Sequence, residues 1–325
     1  GPHPSTTPRA TLAKLPVDVA VLGECEEIAA RLVETPRARW SEVQSIAWRT
    51  DGGQVVVQGA PHGGDLDALP PLRWSAEDLR RHRHHHHRFD AQPVGPGAEV
   101  EWTRGCPFHC TFCNKENFRD RFRRRPLAVV LDEIDALLAG GVEYLYFIDE
   151  IFMPDRPLLD ALAARSVRFG VQMRIDLWDA EQIERLGRAG CVSIEAGVES
   201  ITEEGRSLLA KRCRLDTGEL SARLIHARRF VPFVQANLLR SSQDDAEAIE
   251  AWRAELSKHG VWANLPVPLF AYPGSPEYRL AWGPPDDGAW DRAHRDYLVR
   301  FRDFSDVQEA RPWPLDELER EGGAA

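Results

Sequence analysis

From residue 99 onward the hydrophobic pattern alternates between two periods. Short β-rich runs, "AEVEWTRG", "VEYLYFID", "VRFGVQMRIDL", "CVSIEAGVES", "FVPFVQANLL" and "VWANLPVPLF", read as strands. Between them stand stretches with helical spacing: "LAVVLDEIDALLAGG", "RPLLDALAARS", "AEQIERLGRAG", "TGELSARLIHARR" and "DAEAIEAWRAELSKHG". Several of these close on glycine, as helix C-termini tend to. Strand–helix alternation predicts a parallel sheet with right-handed crossovers. Six strands predict an α/β fold of partial, TIM-like (β/α)6 type, spanning residues 99–284.

The flanks read differently. Residues 1–60 form a small α/β piece, in which "VDVAVLGE" is an apolar strand, "CEEIAARLVE" a helix, and "VQSIAWRT-DGG-QVVVQG" a hairpin on a glycine turn. Residues 61–98 are rich in Pro, Gly, Asp and His and read as a connector. That connector includes "RHRHHHHRFD", a native His-rich tract whose expected property is nonspecific metal affinity. The tail, residues 285–325, reads as one helix, "DDGAWDRAHRDYLVRFRDF", and an extended end.

Composition narrows the partners. The chain of 325 residues is 43% hydrophobic, enough for a sizeable core. No run approaches the roughly 18–20 apolar residues of a membrane helix, and the start lacks a signal-peptide pattern. A net charge of −10 argues against nucleic acid as the main partner. One local exception is "RDRFRRRP", Arg119–Pro126, which reads as a solvated helix start, with a phosphate or carboxylate site as the alternative. Six cysteines in a chain this long make no disulfide framework, and a reduced, cytoplasmic protein is expected. Cys25, Cys191 and Cys213 are scattered and are expected in core or semi-buried positions.

The other three cysteines are clustered in "EWTRGCPFHCTFCNKENF" as C-x3-C-x2-C: Cys106, Cys110 and Cys113. They follow the first strand, at the sheet edge where parallel α/β folds carry their chemistry. A closed zinc site needs four ligands, and no second knuckle follows; His109 is a possible fourth ligand. An electron-transfer [4Fe–4S] centre also takes four cysteines. Three thiolates on a cubane leave one iron open to an amine and a carboxylate.

This loop, with the aromatic Phe112 before its last cysteine, is similar to the cluster loop of the radical S-adenosylmethionine superfamily, whose partial (β/α)6 barrel matches the strand rhythm. The resemblance implies a [4Fe–4S] cluster on the three cysteines and S-adenosylmethionine at the open iron. "GVEYLYFIDEIF" looks like the segment that meets the methionine ammonium group, with Asp149 and Glu150 as candidates. "VQMRIDLW" contributes Arg174 and Asp176; "SIEAGVES", resembling the segment near the ribose and the methionine carboxylate, contributes Glu195, Glu199 and Ser200. "FAYPGSPEY" resembles the "YPGTP" segment of the cobalamin-binding branch, where Pro273 and Gly274 would turn against adenine. Structural readings stand beside these: Asp149 and Glu199 as helix caps, Arg174–Asp176 as an ion pair between strand ends.

"VLGECEE", the hairpin and "DLDALPPLRW" resemble the segment that joins a cobalamin-binding domain to this barrel. No Asp-x-His-x-x-Gly occurs, and the residues of a full nucleotide-type domain are not present, so cobalamin is expected to be unlikely. The resemblance implies reductive cleavage of S-adenosylmethionine and hydrogen abstraction, with a flavodoxin- or ferredoxin-type donor. A polar mouth, Glu101, Asp149, Glu150, Gln172, Arg174, Asp176, Glu195, Gln235, Asn237 and Asn264, suits a small natural-product or sugar-like substrate. Dehydration, deoxygenation or epimerisation is the expected outcome. Cobalamin-dependent methyl transfer or rearrangement is the alternative, and a non-catalytic Fe–S or zinc module a third reading.

Overall fold

The structure, a computed structural model, describes residues 1–81, 96–115, 119–240 and 243–301. Strands β1 (Val19–Val21), β2 (Ile46–Arg49) and β3 (Val55–Gln58) form an antiparallel sheet at the front of the chain. Helices α1 (Pro2–Thr6), α2 (Pro8–Lys14) and α3 (Glu26–Glu34) accompany it, and α4 (Ala76–Arg81) follows in the connector. The barrel strands are β4 (Gly97–Val100), β7 (Tyr144–Phe147), β8 (Arg168–Met173), β9 (Cys191–Glu199), β10 (Phe233–Leu238) and β11 (Trp262–Ala263). A two-stranded ribbon, β5 (Thr103–Arg104) with β6 (Arg123–Arg124), lies between β4 and β7 in sequence.

All six barrel strands are parallel, and their order in the sheet is their order in sequence. Such single winding is what right-handed crossovers produce when every helix packs on one face. The helices are α5 (Leu127–Ala139), α6 (Arg156–Arg165), α7 (Ala180–Arg188), α8 (Glu203–Leu208), α9 (Thr217–Ala227) and α10 (Ala246–Lys258). Their starts are fixed chemically: Asp155, Asp179, Asp216 and Asp245 each accept a backbone N–H of the first turn. In α7 and α9 the third helical residue reciprocates, closing a capping box. Helices α11 (Pro276–Trp282) and α12 (Ala289–Phe301) complete the chain.

Side-chain alternation divides each strand between two environments. Leu145, Phe147, Phe169, Val171, Ile194, Ala196, Val234 and Ala236 join the apolar layer under the helices. The alternate positions, Tyr144, Tyr146, Gly170, Gln172, Ser193, Glu195, Gln235 and Asn237, occupy the other face of the sheet. Gly170 is needed there: a Cβ on it would run into the Tyr144 hydroxyl and the Ser193 Oγ.

Three expectations change. The "RDRFRRRP" run is no solvated helix start; it forms β6 and an extended lead into α5. Its arginines are captured by carboxylates brought in from elsewhere: Arg123 pairs with Glu24, and Arg125 donates to Glu133 at 2.7 Å. Cys25 is exposed, just ahead of α3, whereas Cys191 is buried and Cys213 half-buried. The connector is partly structured, since Trp74 and Leu79 pack on the barrel core. The His-rich residues 82–90 and the tail beyond 301 lie outside the described residues.

The Arg125–Glu133 pair is almost fully enclosed, with side chains 2% and 0% exposed. Losing one partner strands the other charge in a low-dielectric site. Arg125→Met should destabilise the chain by about 3–5 kcal/mol, and Arg125→Met with Glu133→Leu should recover most of that. Denaturant unfolding of both variants checks this; equal losses in the single and the double would contradict it.

Candidate active site

Strand β4 ends at Val100, and the chain passes through β5 into the cysteine loop. Gly105 turns it there with φ of 81°, where a Cβ would collide with the Arg121 carbonyl. The N–H of Gly105 donates to Glu150 at 2.9 Å, and that of Cys106 to the Arg119 carbonyl at 3.3 Å. Farther along, the Thr111 N–H reaches the Leu209 carbonyl at 3.0 Å and its hydroxyl donates to Glu277 of α11 at 2.7 Å. The loop is thus held by both neighbouring segments and by its own stem.

Cys106, Cys110 and Cys113 line one cavity of about 290 Å³ at the C-terminal edge of the sheet. Facing them in the same cavity are Glu150, Gln172, Arg174, Glu195, Glu199 and Asn237, all expected from the sequence, together with Phe112 from the loop itself. The strand register stacks these groups: Gln172 pairs with Glu195, Glu195 with Gln235, and Gly197 with Asn237. Tyr146 donates its hydroxyl to Glu195 at 2.9 Å. The exposed His109 is absent from the cavity wall.

Arg174 is the most constrained of the facing groups in its contacts. Its guanidinium forks onto Asp176, Nη2 to Oδ2 at 2.7 Å, and lies 4.0 Å from the centre of the Phe108 ring. Its Nη1 is buried with no hydrogen-bond partner. Glu199 has φ of 70°, in the left-handed region, and accepts from Lys211 Nζ at 2.9 Å. Such backbone strain in a non-glycine residue concentrates at functional sites.

The thiols sit among cations. Burial raises the pKa of all three, and Cys113 is pushed up to about 11 by burial and by the neighbouring Cys106 and Cys110. Lys115, Arg174 and Lys211, all buried, act in the opposite direction. Metal binding requires thiolates, so these three cations favour a thiolate-bound anionic centre. Among the described residues no three His, Cys, Asp or Glu side chains close on a single-ion position. Separate thiols on one wall fit a cubane, which takes one thiolate at each of three corners.

Other expected residues lie off the cavity wall. Asp149 accepts the Trp102 N–H at 2.8 Å and the Thr103 hydroxyl at 2.7 Å, bracing the chain as it leaves β4. It caps no helix. Ser200 donates to Asp244 at 2.7 Å, and Asp176 serves Arg174. Asn264 accepts the Leu238 N–H at 2.6 Å, tying the two last strands. Glu101 pairs with Arg104, and Pro273–Gly274 form the turn ahead of α11, with Gly274 at φ of 101°. Phe108 and Lys211 line the cavity although nothing in their local sequence marks them; each is recognisable only through its partner, Arg174 or Glu199.

Residues 100–233 match the family model described as the Radical SAM superfamily. That stretch of the chain is a Radical SAM domain. A domain of this kind supports a [4Fe–4S] cluster and S-adenosylmethionine as cofactors, and supports an enzyme. The chain is similar to the anaerobic magnesium-protoporphyrin IX monomethyl ester cyclase of Cereibacter sphaeroides, 26% identical over 83% of this chain and 47% of the cyclase. It is also similar to the hopanoid C-3 methylase of Methylococcus capsulatus, 26% identical over 90% of this chain and 54% of the methylase. The chain spans about half the length of these relatives. Among solved structures, the radical S-adenosylmethionine methyltransferase TsrM from Kitasatospora setae, with cobalamin and a [4Fe–4S] cluster bound, superposes with a TM-score of 0.66. That match has 19% identity and covers 85% of this chain and 57% of TsrM. The expectation that cobalamin is unlikely finds no support in these neighbours. Among the described residues no helix is long and apolar enough to cross a membrane.

Asp149 carries a pH prediction. Burial raises its pKa to about 7, against about 3.9 in an unfolded chain. The folded state then binds a proton that the unfolded state has lost, so stability falls as pH rises from about 4 to about 7. The slope from this group approaches 1.4 kcal/mol per pH unit. Asp149→Asn, which keeps the shape, should flatten that part of the stability–pH curve. A variant curve parallel to that of the wild type would contradict the assignment.

Proposed function

We propose that this chain is the radical S-adenosylmethionine core of a cobalamin-dependent enzyme that performs methyl transfer or ring closure on a small molecule. The carrying observation is the single cavity that joins the three thiols to Arg174, Glu195 and Asn237. In this reading Cys106, Cys110 and Cys113 hold the cluster, which when bound supplies an electron for reductive cleavage of S-adenosylmethionine. A flavodoxin- or ferredoxin-type protein delivers that electron. Arg174, through its unpartnered Nη1, holds the methionine carboxylate, and Glu199 with Lys211 frames the ammonium and ribose side. Glu150 keeps Gly105, and with it the loop, in register. Gln172, Glu195 and Asn237 offer hydrogen-bonding groups to a polar part of the substrate.

The methyltransferases and cyclases among the relatives favour this reading over dehydration, deoxygenation or epimerisation. The described residues do not fit cobalamin by themselves. The front sheet is three antiparallel strands, where a nucleotide-type domain has a parallel sheet. In this reading cobalamin is held by residues other than the described ones.

Anaerobic incubation with S-adenosylmethionine and a reductant, with and without hydroxocobalamin, separates the readings. Reductive cleavage leaves methionine and 5′-deoxyadenosine, whereas methyl transfer leaves S-adenosylhomocysteine. S-adenosylhomocysteine appearing only with cobalamin supports methyl transfer. Cleavage products indifferent to cobalamin, with no homocysteine product, return the chain to the deoxygenation-type reading.

Cofactor contacts are tested separately. Arg174→Lys keeps the charge but loses the fork. A charge-assisted contact of about 1.5–3 kcal/mol corresponds to a loss of about ten- to a hundredfold in S-adenosylmethionine affinity. Glu199→Gln should weaken binding in the same range. If both variants melt earlier yet bind the cofactor as tightly as wild type, they brace the barrel and leave the cofactor site.

A further inference from the structure

Glu24 is a buried carboxylate of the front piece, its side chain 1% exposed. It accepts the Gly64 N–H at 2.7 Å and pairs with both terminal nitrogens of Arg123. Arg104 Nη1 lies 3.4 Å away, and Arg119 Nε 3.7 Å. All three arginines belong to the two arms of the cysteine loop. Arg104 stands two residues before Cys106, while Arg119 and Arg123 lie on the returning arm. Arg119 is bound to the loop twice more: its carbonyl accepts the Cys106 N–H, and its guanidinium pairs with Glu150. The other oxygen of Glu150 accepts the Gly105 N–H. Arg104 is completed by Glu26 at 2.5 Å and Glu101 at 2.8 Å.

We infer that Glu24 is a positioning residue for the iron–sulfur cluster: through it the front piece clamps both arms of the cysteine loop, so that docking of the front piece and retention of the cluster are coupled. The inference rests on the reading that Cys106, Cys110 and Cys113 hold that cluster. Its physical basis is charge. Without the carboxylate, three guanidinium groups face one another in a partly dry site, and their repulsion opens the arms. The opening lies one hydrogen bond from Cys106 by way of Arg119, and two from Gly105 by way of Glu150. Coupling of this kind is reciprocal, so loading the cluster must in turn hold the front piece against the barrel.

Two measurements on the full chain test it. Iron and sulfide content after anaerobic reconstitution is determined first; a chain that never loads about four irons refutes the cysteine reading itself. On loaded protein, release of iron to a chelator is then followed. Glu24→Gln should release it about tenfold faster than wild type, within the usual range of coupling energies, and Glu24→Asp at an intermediate rate. Glu42→Gln, which breaks an exposed pair with Arg39 in the same front piece, should release it at the wild-type rate. The second measurement needs no variant: amide hydrogen exchange over residues 19–34 should slow by about fivefold or more when the wild-type chain is loaded. If Glu24→Gln does not fold, this comparison decides alone. Loaded and metal-free chains exchanging alike, or a folded Glu24→Gln that keeps its iron as long as wild type, overturns the coupling.

Discussion

Parallel strands that are hydrogen-bonded in their sequence order leave all their C-terminal ends on one rim, and the cavity exists because of that constraint. The cysteine loop follows the first barrel strand, Gln172 and Arg174 flank the end of the third, Glu195 lies within the fourth and Glu199 ends it, and Asn237 stands near the end of the fifth. Alternation then decides what each strand offers. Side chains facing the helices are apolar and carry the packing, while those on the opposite face are free to be polar. Stability and chemistry are thereby assigned to opposite faces of one sheet.

A polar interior is tolerated only if its charges are paired. Arg174 with Asp176, Lys211 with Glu199, and Arg125 with Glu133 meet that condition, each pair joining groups that burial would otherwise penalise. Pairing still leaves single atoms over: Arg125 Nε and Glu133 Oε1 lack partners within their pair, and Arg174, which lines the cavity, keeps its Nη1 unspent. A buried donor without a partner is costly in a resting protein and useful in one that binds an anionic group.

The barrel was legible because its signals are local. Six apolar runs of strand length, five helical patterns and an unusual cysteine spacing each lie within a few residues, and each run has its element in the structure, although the first divides between β4 and β5 and the last keeps only Trp262–Ala263 as strand. Polar residues on the strands' open face were legible for the same reason, as with Gln172, Glu195 and Asn237. What the chain conceals locally is pairing across sequence. Arg119–Pro126 looks like a basic helix start until Glu24, Glu133 and Glu150 are placed beside it. Asp149 and Glu150 are adjacent and chemically alike, yet one braces Trp102 and Thr103 while the other lines the cavity. No local rule separates two carboxylates one residue apart at the end of a strand.

The central claim is that the three thiols hold a cubane whose fourth iron takes S-adenosylmethionine in this cavity. The most direct measurement is the electron paramagnetic resonance spectrum of the reconstituted, reduced chain before and after S-adenosylmethionine is added. The account predicts the signal of one reduced [4Fe–4S] cluster whose g values shift on addition, because a ligand has entered the iron's coordination shell. A complete cluster whose spectrum ignores S-adenosylmethionine would contradict it.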